Sequence, residues 1–110
     1  QIIKGWTNND GSSSEKVFDV DLSSDAGSNT VNVKTATYEN SIGEAQFVSF
    51  WSDPDFNPSE QAFYYVRVIE IPTPRWTTYD SVVFGNKLPK FIPGSHQERA
   101  YTSPIWYSPE

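Results

Sequence analysis

The chain has 110 residues, a formal net charge of −6 and no cysteine. That length fits a single domain. The acidic balance, with Lys and Arg scattered, excludes a phosphate-backbone binder, which needs a basic stripe, and the absence of thiols excludes a disulfide framework and thiolate chemistry.

The apolar residues recur with a period near two, and turn residues interrupt them at short intervals. This predicts an all-β fold, a small antiparallel β-sandwich spanning residues 1–110. Gln1 to Trp6 reads as a first strand, followed by a turn at Asn9-Asp10-Gly11, where Asn and Gly tolerate positive φ. Lys16 to Leu22 is its expected hairpin partner, with Phe18, Val20 and Leu22 on one face. Ser23 to Asn29 is a polar loop. Thr30 to Thr37 alternates again, with Val31 and Val33 expected inward. Ala45 to Trp51 reads as a strand apolar on both faces, and Asp53 to Pro58 as a turn-rich loop. Gln61 to Ile71 is the strongest strand pattern, placing Tyr64, Val66 and Val68 on one face and Phe63, Tyr65, Ile69 and Ile71 on the other. The prolines of Ile71-Pro72-Thr73-Pro74 must leave a ladder. Thr77 to Phe84 suits one helical turn or a short strand. Arg99 to Tyr107 is a last strand, with Pro104 admissible only at an edge or bulge.

Two strands are apolar on both faces, whereas a free-standing sandwich should turn polar outside. Either a loop or a missing domain is expected to cover the second face. Rings among Phe50, Tyr64, Tyr65, Trp76 and Trp106 are therefore expected to form an exposed patch, or one hidden by a second copy of the chain.

Motifs for chemistry are sparse. Asp53, Asp55 and Asn57 alternate as in a calcium loop, but Pro58 stands where Gly is needed and Tyr64 where a bidentate Glu is needed. A plain Asx turn is the expectation. His96 is the single His, too few for a His-rich metal site, and no Ser or Thr has a base beside it. Glu70, Asp80 and Glu98 are expected to pair with arginines, for which Arg67, Arg75 and Arg99 are available. Trp51, Trp76, Tyr79, Trp106 and Tyr107 suit either a sugar-stacking platform or core and interface anchors. No catalytic residue, metal or cofactor is implied, nor is nucleic acid or a membrane as a partner, since no apolar run is long enough to span a bilayer.

The strings FYYVRVIEIPTPRWTTYD (Phe63 to Asp80) and QERAYTSPIWYSP (Gln97 to Pro109) resemble the C-terminal end of a large bacterial family, the domain of unknown function 3604. QIIKGW, EKVFDV, TATYENSIG and WSDPDFNPSEQAFYY in the first half fit it too. Members are several times longer, often exported, and resemble PHP-type metal-dependent hydrolases of phosphate or sulfate esters, with metal ligands upstream of this region. The resemblance implies a non-catalytic C-terminal accessory domain, periplasmic or secreted, whose partner is an N-terminal catalytic domain of the same chain. A small-ligand or carbohydrate-binding module is the alternative. The residues expected to reach a neighbour are Arg75 and Trp76, then Arg99, Tyr101 and Trp106. A local reading has Arg75 paired with Asp80 or Glu98.

Overall fold

The computed structural model describes residues 1–110. Its strands are mainly antiparallel and are joined by one short helix, so the fold is small and all-β in class. The chain divides into two compact units, one made of Gln1–Leu22, Gln46–Val68 and Ala100–Glu110, the other of Ser23–Ala45 and Ile69–Arg99. The elements in chain order are β1 (Ile2–Thr7), β2 (Ser13–Phe18), β3 (Ala62–Ile69), β4 (Thr73–Pro74), α1 (Trp76–Phe84), β5 (Ser95–His96), β6 (Arg99–Tyr101) and β7 (Ile105–Tyr107).

The first unit is built on a five-stranded sheet of order β2-β1-β3-β6, with β7 also paired to β3. Its hairpin forms where Asn, Asp and Gly signalled it. The Asn8 amide donates to the Ser12 carbonyl at 2.8 Å, Asp10 accepts from the Ser12 amide at 2.9 Å, and Gly11 takes a φ of 82°. The second strand ends at Phe18 rather than running to Leu22. The next strand, β3, adds to the other side of β1, with Ile3 opposite Tyr65 and Gly5 opposite Phe63. A Cβ on Gly5 would sit 2.4 Å from the Phe63 ring, so the ring can lie over the backbone only because no side chain stands there. The closing segment is two short strands. Thr102 exchanges hydrogen bonds with Val66, its amide donating to the Val66 carbonyl and its Oγ1 accepting from the Val66 amide, both at 3.0 Å. Pro104 falls in the break that follows, where no ladder donor is required.

In the second unit, β4 and β5 form a two-stranded ribbon, with Thr73 opposite His96. The helix starts after extended Arg75 and stops at Gly85, whose φ of 68° is the left-handed conformation that ends helices. Its Thr78 is fully buried and donates to the Gly94 carbonyl at 2.6 Å.

Two expected strands do not form. Residues 30–37 make a turn closed by a single bridge between Asn32 and Thr37, and Val33 is exposed rather than inward. The cause is local. The Asn32 side chain accepts from the Lys34 amide at 3.0 Å, an Asx contact that competes with a ladder. Ala36 completes the reversal with a φ of 52°. Residues 45–51 find no partner edge, and a period of two makes a strand only where one exists. Phe47, Val48 and Phe50 are left exposed.

The buried hydrophobic residues are only Ile3, Ala36 and Ala62.

Candidate functional site

Along β3, successive side chains point to opposite faces of the sheet, and the two faces of the first unit are treated differently. On the face that carries Tyr64, the loop 51–58 folds back as a cover. Trp51 packs on Phe18 with centroids 4.9 Å apart and on Tyr64 at 6.2 Å. Phe56 meets Tyr107 edge-on at 4.9 Å. Asp53 and Asn57 form the Asx turns that the calcium-loop spacing left as the alternative, since the Asp55 and Ser59 amides donate to the Asp53 and Asn57 side chains at 2.9 and 3.0 Å.

Beneath that cover lies a buried ion pair. Lys4 is 3% exposed, and its ammonium lies 2.6 Å from Asp53 Oδ2 and 2.9 Å from the Asp55 carbonyl. The same carboxylate oxygen accepts from the Tyr64 hydroxyl at 2.7 Å. The ammonium also lies 5.3 Å from the Trp6 ring centroid and 5.8 Å from that of Tyr64, within cation–π range. Outside this core, Lys16 pairs with Asp55.

Burial works to raise the Asp53 carboxyl, but hydrogen bonds from Lys4 and Tyr64 outweigh it and hold the group below its ordinary 3.8. Burial and then the bond to Asp53 push the Tyr64 hydroxyl well above its ordinary 10.0. For Asp53 the folded-state value lies below the unfolded one. Its stabilisation is therefore complete above that ordinary value and is lost as pH falls through the folded one. Tyr64 binds its proton more tightly when folded, so its contribution is whole below pH 10 and is lost as pH rises further. The unfolding midpoint should be flat between about pH 5 and 9 and drop on both sides. In Tyr64→Phe the alkaline drop should shrink without vanishing, because the buried Lys4–Asp53 pair also needs a charged lysine. In Asp53→Asn the acid drop should shrink without vanishing, because Asp10 and Asp25, hydrogen-bonded chiefly by Ser12 and Gly43 respectively, are also held low. Thermal unfolding across pH decides it, and an alkaline drop undiminished in Tyr64→Phe would contradict the assignment.

The opposite face has no such cover. Tyr101, Tyr65, Phe63 and Trp106 run across it as a ladder. Tyr101 and Tyr65 are 6.1 Å apart, Tyr65 and Phe63 are 6.3 Å apart and within 9° of parallel, and Phe63 and Trp106 are 5.1 Å apart. The inner rings are half-buried, whereas Tyr101 is 57% and Trp106 72% exposed. Of the rings expected in an open patch, Phe50, Trp76 and Trp106 are exposed, and Tyr64 and Tyr65 are half-buried.

The other candidate residues fall in the second unit. Tyr38, Thr73, Pro74, Arg75, Trp76, Tyr79, His96 and Glu98 line a cleft of about 590 Å³. The expected sugar platform is thus divided: Trp76 and Tyr79 line this cleft, whereas Trp51, Trp106 and Tyr107 line a separate cavity of about 510 Å³ in the first unit. Arginine–carboxylate pairing does not occur. The ion pairs are Lys4–Asp53, Lys16–Asp55 and His96–Glu98, the last at 2.6 Å. Arg67 donates instead to the Gln1 side chain at 2.8 Å. Neither Asp80 nor Glu98 reaches Arg75, and Arg99 is exposed at the start of β6.

Fold and surface together define a small antiparallel β protein in which Trp76 and Trp106 lie open while Trp6 and Trp51 are half-buried. The chain belongs to the family described as protein of unknown function (DUF3604), whose model matches residues 1–109. No curated protein and no solved structure gives a significant match. No helix is long and apolar enough to cross a membrane.

Proposed function

We propose that this chain is a non-catalytic accessory domain that docks on the remainder of a larger bacterial protein and completes it. The remainder is an N-terminal catalytic part resembling PHP-type metal-dependent ester hydrolases, in a periplasmic or secreted setting. The observation that carries the docking reading is the near-absence of a private core: three small-to-medium hydrophobic residues are buried, while Trp106, Tyr101 and Phe50 stand in solvent. At about 25 cal/mol per Å² of apolar surface, covering several such rings is worth several kcal/mol, and monomers rarely leave so much apolar surface uncovered. The family resemblance supplies the larger protein.

A carbohydrate-binding reading finds aromatic walls in the cavity of the first unit, but its polar groups are spoken for. The Tyr64 hydroxyl and the Asp53 carboxylate bond to each other and to Lys4, and the Tyr107 hydroxyl donates to the Pro58 carbonyl at 3.0 Å. Docking therefore explains more of the surface.

Hydroxyl-radical footprinting tests it. Trp106 and Tyr101 should oxidise readily in the 110-residue chain and be protected several-fold in the complete gene product. Equal oxidation in both would refute docking through the ladder. Protection in the short chain that grows with its concentration would make a second copy the occupant and overturn the proposal.

A further inference from the structure

The cleft of the second unit contains a charged side chain that nothing in the fold uses. The Arg75 backbone is fixed. Its amide donates to the Gly94 carbonyl at 3.1 Å, and its carbonyl accepts from the Thr78 and Tyr79 amides at 2.9 and 3.2 Å. Its guanidinium, by contrast, has no carboxylate within ion-pair reach, since Glu98 is engaged by His96 and the other ion pairs belong to Lys4 and Lys16. A half-buried arginine held at its backbone and free at its head is positioned to take an oxyanion, for which the planar fork offers two parallel donors.

The surroundings define the rest of the ligand. Trp76 is 68% exposed, and Tyr79 and Tyr38 are also open, so three aromatic side chains offer surface against which a ring can stack. The Glu98 carboxylate lines the same cleft. It would repel a bare anion, but it accepts hydrogen bonds from hydroxyl groups. The β4–β5 ribbon, which sets Thr73 opposite His96, holds the His96–Glu98 pair and the Arg75 backbone in one framework.

We propose that this cleft binds an acidic sugar, a hydroxylated ring bearing a carboxylate or phosphate. Arg75 takes the oxyanion, Trp76 and Tyr79 stack on the ring, and Glu98 accepts from its hydroxyls. This assigns Arg75 and Trp76 to a ligand rather than to the docking surface, and it stands independently of the ladder.

Calorimetric titration with glucuronate, glucose 6-phosphate and glucose, on the 110-residue chain and on the complete gene product, tests the assignment. The first two distinguish a carboxylate from a phosphate as the preferred group, and the third removes the charge. At least one charged sugar should bind about tenfold or more tightly than glucose, and Arg75→Gln should abolish that preference. Trp76→Ala should weaken charged and neutral sugars alike. Arg75→Gln should fold normally, because the side chain makes no bond in the structure; should it fail to fold, the exposed Trp76→Ala carries the test. Equal affinity for glucose, wild-type binding by Arg75→Gln, or no binding of either charged sugar would overturn the proposal. Binding by the short chain but not by the complete product would do so too, because the cleft would then be a docking contact. Neither result bears on the protection of Trp106.

Discussion

Replacing Lys4 with methionine will destabilise the chain by about 3–5 kcal/mol, the cost typical of removing one partner from a buried ion pair. Lys4 and Asp53 have side chains only 4% and 5% exposed, so the remaining carboxylate would stay in a dry site with the Tyr64 hydroxyl as its main donor. Methionine matches the lysine stem in length, which separates loss of charge from loss of packing. A small domain has only about 5–15 kcal/mol in total, so urea unfolding should show a large fall in midpoint, or no folded baseline at all. The double variant Lys4→Met, Asp53→Leu should recover part of the loss, because an uncharged pair leaves no orphaned ion. A single variant that loses less than about 1 kcal/mol would place this pair with ordinary surface salt bridges.

The sequence did not disclose which residues make that pair. Lys4 sits inside an apolar strand, Ile2 to Trp6, and its partner is 49 positions away in a loop. A lysine between Ile3 and Trp6 in a core-forming strand is itself the available signal, since a charge there must be met by an acid from elsewhere, but spacing cannot say which of fourteen acids provides it. Where structure follows from short-range chemistry, it was legible. The Asn9-Asp10-Gly11 turn made the hairpin, Gln61 to Ile71 delivered β3, Pro104 marked a break, and Thr77 to Phe84 took the helical of its two options. The Asx turns at Asp53 and Asn57 likewise follow from side chains reaching their own backbone.

Long-range pairing was not legible. Alternation in Thr30 to Thr37 and Ala45 to Trp51 describes residues that could lie in a sheet, but no edge is offered to them, and in the first case Asn32 turns the chain locally. The expected arginine–acid pairs failed for the same reason. Compatible charges were present, but the topology brought lysines and His96 to the carboxylates and left Arg75 alone. The two-faced pattern of β3 was informative because it posed a question that the structure answers once for each face. A loop covers the Tyr64 side, and the Phe63–Tyr65 side is left as an open ladder.

That open ladder carries the second large effect. Trp106→Ala in the complete gene product should cost at least about 2 kcal/mol of stability, the threshold of an interface anchor. In the 110-residue chain the same change should cost no more than about 1 kcal/mol, the scale of one aromatic pair, because Trp106 touches Phe63 at 5.1 Å and is otherwise largely in solvent. The difference arises from what surrounds the ring in each setting. Alone, an indole 72% exposed has little burial to lose. Against a partner it becomes the most projecting group of a face whose inner members, Phe63 and Tyr65, are already half shielded, and its truncation opens a gap at the contact. Tyr101→Ala, at the other end of the ladder, should show the same asymmetry. Urea unfolding of each variant in both settings gives the comparison directly. Equal losses would mean that the ladder stabilises only its own sheet, and the accessory role would then have to find its contact on another surface.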